Sequence, residues 1–461
     1  MRLRASQLRG RALPADRTVW EIGVAQRVVT PSLGSQMAGF DARKGVAESV
    51  HDDLHARALA LTAGDRTVVL VSVEVIAVSA VFSAAVRRRI REATGVPESH
   101  IVLSATHTHC GPVTLNHFFN QGQSLDDGYL AKLADGIVDA AVAASGERKL
   151  RRLRVGLAPV EGIAKNRRTA DELPVDPFAG VLLVEELDGR PVAIAVNYAC
   201  HTTCLGPDTL SITQDFPFYT LEKLRSEMGS DVVAMFFNGA EGDLSIGHKS
   251  DLSAVGIVDS FRTFETAKRL GDALADAVLA VVPSLEPEIA EIEVVRREVS
   301  LPLKSYEPLA VMTERKIATQ AAIDLNEPLL EQVKSKQQYL FARIEEYYAR
   351  LYEERAAAEP KALAVEMIAM RFGGTAFVSL PGEVFVRIAL AIRDRSPLAR
   401  TLFLGLANDY IGYVPDEQAN ATIGYEVVAA RVTTAASHMM EQAAVEMLDG
   451  LAAVEKRESA A

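Results

Sequence analysis

The spacing of apolar positions along the chain predicts an α/β protein. From Val19 to Val78 the apolar runs are short and valine-rich, and Thr67 to Val73 reads as a buried strand. Ala80 to Thr94 shifts to helical spacing, with Arg87, Arg88, Arg89 and Arg91 on the polar side. Ile101 to Ser104 returns to a strand, and Leu130 to Ala144, apolar every three to four residues, is a second helix. Gly180 to Glu186 and Pro191 to Tyr198 read as a hairpin around Leu187-Asp188-Gly189-Arg190. A helix over Phe216 to Met228, a strand over Asp231 to Phe237 and a glycine-rich loop over Asn238 to Gly247 follow.

The pattern changes between Tyr306 and Leu363, where Glu, Lys, Gln, Tyr and Arg cluster at helical spacing with few glycines. One or two long solvent-facing helices are expected there, and they could serve as a lid or as a contact in a homo-oligomer. Strand-turn-helix grammar resumes over Thr375 to Ile392 around Pro381-Gly382-Glu383, and a strand over Leu402 to Leu406 leads into Asn408-Asp409-Tyr410-Ile411-Gly412-Tyr413. No fixed-period repeat is visible, and the final dozen residues read as a fraying tail. The expected architecture is a mixed, twisted central sheet flanked by helices, with the active site at strand ends. Residues 1–18 form an extension, 19–450 one catalytic unit with a helical insertion at about 306–363, and 451–461 the tail.

Composition narrows the partners. The 461 residues are 49% hydrophobic and 24% charged, an ordinary globular balance, and the net charge of −12 disfavours nucleic acid and anionic membrane surfaces. A neutral or lipid-like small molecule fits better. No run reaches the ~18 to 20 apolar residues of a membrane span, and Met1 to Arg17 carries five arginines without an apolar core, so a cytoplasmic location is expected. Cys110, Cys200 and Cys204 are too few for a disulfide framework, and the single Cys200-x3-Cys204 lacks the second thiol pair of a zinc finger.

Chemistry centres on Ala105-Thr106-His107-Thr108-His109-Cys110-Gly111-Pro112. If this segment is extended, His107 and His109 project from one face and can share a metal or divide labour between metal and substrate. His201, Glu383, Tyr410 and Tyr413 are each ordinary alone, but all follow strand-like runs, as do Asp243 to Ser245, so one rim of a sheet could gather them. Two imidazoles and a carboxylate suit zinc, which can acidify a water into a nucleophile. Ser245 lacks Gly-x-Ser-x-Gly spacing, which weakens a pure serine-hydrolase reading. His51 and His55 could mimic a helical metal pair or open a strand running into the core.

At these residues the chain resembles the neutral, non-lysosomal ceramidase family in its N-terminal catalytic domain. The matches are Met37-Ala38-Gly39-Phe40, His51 through Ala58, Ala105 through Pro112, Asn166-Arg167, His201-Thr202-Thr203, Gly242-Asp243-Leu244-Ser245, Leu380-Pro381-Gly382-Glu383 and Asn408 through Val414, in family order from about Val19 to Ala435. The resemblance implies a Zn2+ held by His107, His201, Glu383 and a tyrosine. Tyr413, with Tyr425 downstream, fits the family pattern better than Tyr410. It also implies substrate-facing roles for His109, Arg167, Ser245, Tyr425 and Gly39, and hydrolysis of an N-acyl bond in ceramide or another small N-acyl compound. Ester or lactone cleavage on the same scaffold, and a silent binding protein, stand as the alternatives.

Overall fold

The computed structural model describes residues 16–120, 123–168, 174–354 and 361–458. Most of the expected N-terminal extension therefore lies outside the described residues. Eight strands build the central sheet: β1 (Val19–Val28), β2 (His55–Ala63), β3 (Arg66–Val73), β4 (Ile101–Ala105), β5 (Lys149–Pro159), β6 (Phe178–Glu186), β7 (Pro191–Tyr198) and β8 (Val233–Asn238). They pair in the order β8-β7-β6-β5-β1-β2-β3-β4, with the short Glu286–Pro287 strand also on β5. The two outermost pairs are parallel and the inner ones antiparallel, so the sheet is mixed, as expected.

A second sheet packs on the first. Its strands β9 (Ile292–Pro302), β10 (Ala362–Phe372), β11 (Thr375–Ser379) and β12 (Arg400–Leu404) pair in chain order. Strand alternation divides the core between two faces. Val68 and Leu70 of β3 join Met370, Phe377 and Leu402 between the sheets, while Val69 and Val71 face the layer of helices that includes Asp127–Gly146. Trp20 fixes the sheet-to-sheet contact. It is fully buried, meets Phe372 edge to face at 6.5 Å, and donates its indole N–H to Glu288 O at 3.0 Å. The second sheet was not expected as a separate layer.

Local chemistry explains why some predicted elements begin and end where the pattern placed them. The Ala80–Thr94 helix starts after Ser79, whose hydroxyl accepts Phe82 N–H, and stops at Gly95, left-handed at φ 78°. Phe216–Met228 starts after Asp215, whose carboxylate accepts Phe216 N–H, and stops at Gly229.

Two expectations need correction. The insertion does form two helices, Leu309–Ala321 and Leu329–Glu354, but the second is not solvent-facing all round. Val333, Leu340, Ile344 and Tyr348 are buried at helical spacing, a stripe that the surrounding charges obscure in the sequence. The supposed tail is also structured: the Ala435–Glu458 helix runs through it and buries Leu451 against the core.

The sheet edges determine where chemistry can gather. Ser104 of β4 donates its hydroxyl to Gly405 O at 2.8 Å, and Gly405 N–H donates to Asn238 O, at the end of β8, at 2.9 Å. The turn after β12 thus ties opposite ends of the strand order together, and the loops leaving β4, β7, β8, β11 and β12 meet.

Candidate active site

His107 leaves β4 through a backbone that is not extended. Its φ is +70°, a left-handed conformation that costs a non-glycine residue of order 1 kcal/mol and is held by the surrounding structure. His107 N–H donates to Val75 O at 3.0 Å, and ring Nδ1–H donates to Ile76 O at 2.8 Å. The expectation of an extended His-Thr-His segment fails for this reason, yet the two rings still converge: His109 Nε2 lies 3.2 Å from His107 Nε2. His109 can turn inward because Gly39, at φ 98°, lies against it. A Cβ on Gly39 would sit 2.5 Å from the His109 ring.

The other corners come from β7, β11 and the segment after β12. His201, fully buried, donates Nδ1–H to Glu241 O at 2.9 Å and places Nε2 2.9 Å from Glu383 Oε2. The same carboxylate oxygen is 3.5 Å from His107 Nε2. Glu383 pairs in register with Tyr413 through a two-residue parallel bridge, while the Tyr410 hydroxyl donates to Glu383 Oε1. Tyr413 instead accepts Arg167 Nη2–H at 2.9 Å, and Arg167 also donates from Nε to Glu426 at 2.8 Å and from Nη2 to Gly242 O at 3.0 Å.

The proton inventory suggests what this cluster can hold. Both His107 and His201 spend their Nδ1–H on carbonyls, which leaves Nε2 as a lone pair on each ring. The His201 and His107 lone pairs face Glu383 Oε2 at 2.9 and 3.5 Å, and His109 Nε2 lies 3.2 Å from that of His107. Acceptors so placed need a proton or a cation, and the nitrogen and oxygen set fits a divalent transition cation. Among the described residues two groups could hold one, His107/His109/His201 and His107/Glu241/Glu383, and they share His107. Electrostatics agree. Burial, aided by Arg167, pushes His201 down to about 3, which keeps its ring neutral and able to ligate.

A slot of about 40 Å³ opens beside the cluster, with Gly39, His109, Arg167, Tyr413 and Tyr425 on its walls. Ser245 is not among its lining residues: it is fully buried, donates its hydroxyl to His248 O at 2.9 Å and accepts Gly247 N–H at 3.1 Å. The His248 ring lines the slot in its place. Sequence reasoning missed His248, Glu241 and the Tyr410–Glu383 bond. His248 stands three residues beyond Ser245 and carries no motif of its own. The cysteines take no part: Cys110, Cys200 and Cys204 are buried free thiols, and burial pushes Cys110 up to about 12. His55 opens β2 rather than forming a helical pair with His51.

Comparison with known proteins follows the same residues. The family described as neutral/alkaline non-lysosomal ceramidase, N-terminal, matches residues 20–250, half of the chain and the part that carries His107, Arg167, His201 and Ser245. The chain belongs to this family. Its fold is also that of solved ceramidases. A neutral ceramidase from Pseudomonas aeruginosa superposes with a TM-score of 0.72 at 18% identity, covering 96% of this chain and 75% of that one. A structure described as ceramidase complexed with C2 gives 0.71 at 18%, covering 95% and 75%. Comparison with curated proteins finds no match. Membership in the ceramidase family supports a hydrolase, and among the described residues no helix is long and apolar enough to cross a membrane.

Proposed function

We propose that the chain is a zinc-dependent hydrolase that cleaves the N-acyl amide bond of ceramide or of another small, lipid-like N-acyl compound. The observation that carries this reading is the meeting of His107 Nε2, His201 Nε2 and Glu383 Oε2 beside a slot walled by Arg167 and two tyrosines.

In this reading His107, His201, Glu383 and Tyr413 hold the metal. Zinc in such a set polarises a carbonyl and lowers the pKa of water towards neutrality. The protein's own groups do the rest. The carbonyls of Ile76 and Glu241 fix the two ligand rings in the tautomer that leaves Nε2 free. His109, whose Nδ1 has no hydrogen-bond partner among the described residues, is placed to take a proton from the attacking water and pass it to the leaving amine. Arg167 and Tyr425 bind the carbonyl oxygen or a substrate hydroxyl, and Gly39 provides the room in which His109 turns. Ser245 acts at one remove, holding the His248 loop. Its engaged hydroxyl favours water over Ser245 as nucleophile.

A screen of short-chain and long-chain N-acyl amides, run beside matching esters and lactones with metal analysis of the same preparation, tests the proposal. The expected result is about one zinc per chain and turnover of amides. A folded protein without metal, or one that opens only esters or lactones, would overturn it.

A further inference from the structure

Glu241 stands just past β8, and its side chain is fully buried. Neither carboxylate oxygen has a hydrogen-bond partner from any other described residue. The contrast with its neighbour is sharp: Asp243 accepts Val386 N–H at 2.8 Å and Asn166 Nδ2–H at 2.6 Å. Buried carboxylates without a donor are rare, because the charge loses its hydration and gains nothing in exchange.

The position of Glu241 makes the missing donor informative. One of its oxygens lies within 4.8 Å of ligand atoms on both His107 and Glu383, so two carboxylates and an imidazole converge there. Gly405 leaves the space that this requires, since a Cβ there would stand 2.9 Å from Glu241 Oε2. The backbone of the same residue orients a proposed ligand, because Glu241 O accepts His201 Nδ1–H. A cation between the carboxylates would satisfy both.

We infer that Glu241 is a second carboxylate ligand of the metal centre beside Glu383, so that two carboxylates balance the charge of a divalent ion that His107, His201 and Tyr413 also hold. The inference rests on the metal reading above and adds to it a residue that the ligand set read from the sequence does not contain.

Zinc affinity of the full-length protein, measured by competition with a chromophoric chelator, tests this with Glu241→Gln, which preserves shape and removes charge. The expected result is affinity weakened by about 10- to 100-fold or more, the lower range being typical even of an outer partner of a ligand. The metal-free form of the same variant should melt no lower than metal-free wild type, because an amide replaces a buried carboxyl that has no donor among the described residues. A crystal structure of the zinc-loaded wild type provides a second measure: a Glu241 oxygen at about 2.0–2.2 Å from the ion supports the assignment, and one beyond contact distance overturns it. Unchanged zinc affinity in Glu241→Gln overturns the inference while leaving the metal reading intact. Wild-type protein that binds no zinc overturns both.

Discussion

His201 Nε2 lies 2.9 Å from Glu383 Oε2 although 182 residues separate them in the chain. With Nδ1–H spent on Glu241 O, the His201 ring has no proton to offer the carboxylate. Two acceptors so placed need a proton or a cation between them, and the proposed metal meets that need. Glu383→Gln keeps the shape and removes the charge. Zinc content should fall well below one per chain and amide turnover by at least about 100-fold, with far-UV circular dichroism unchanged. Full metal occupancy in this variant would remove Glu383 from the ligand set.

Arg167 joins the site to its support. It is buried and divides its donors among Tyr413, Gly242 and Glu426, itself buried. Removing it by Arg167→Ala strands the Glu426 charge, with Arg168 Nε at 3.7 Å as the remaining ion-pair partner among the described residues. A loss of about 3 kcal/mol in urea unfolding is expected. Arg167→Lys should recover part of the stability but little turnover, because an ammonium cannot reproduce the fork that reaches both Tyr413 and Glu426. Full activity in Arg167→Lys would argue that the charge alone matters.

The sequence made the strands and their order of chemistry readable more easily than the packing. Strand ends after β4 and β7 were legible because apolar runs stop abruptly before His107 and His201. The helix bounds at Ser79 and Gly95 were legible because caps are local. The second sheet was not, since β9 mixes Glu and Arg with Val and reveals its inner face only when β10 lies beside it. Glu241 escaped notice for a related reason. A single carboxylate in a glycine-rich loop looks solvated until the fold closes over it. His107 shows a right conclusion reached by the wrong geometry: its ring meets that of His109 because the backbone turns left-handed, not because it is extended.

The insertion reaches the slot directly. Leu340, on the Leu329–Glu354 helix, lines it, and Arg343 on the same helix pairs with Asp41 at 2.6 Å, itself on the slot wall. About 40 Å³ is room for a few waters at most, so a long acyl chain must displace part of this wall. Leu340→Ala should therefore favour long-chain over short-chain N-acyl amides. The ratio of their kcat/KM values is expected to rise about tenfold, at a stability cost of about 2–4 kcal/mol. An unchanged ratio would take the helix out of substrate selection.

His117 sets part of the acid limit of the fold. Its ring is buried among Phe118, Phe119, Tyr348 and Tyr410, and neither nitrogen has a hydrogen-bond partner among the described residues. Burial pushes it down to about 3 from its ordinary 6.5. Between those values the unfolded chain takes up a proton that the folded ring refuses, so the stabilisation is complete above pH 6.5 and is lost as the pH falls. Near pH 5 the loss from this one group approaches about 1.4 kcal/mol per pH unit. His117→Phe keeps an aromatic ring in the same pocket and cannot titrate. Stability measured by denaturant between pH 7 and 4 should then fall less steeply, by close to one proton per molecule. Parallel slopes for the two proteins would show that His117 is already protonated in the native state.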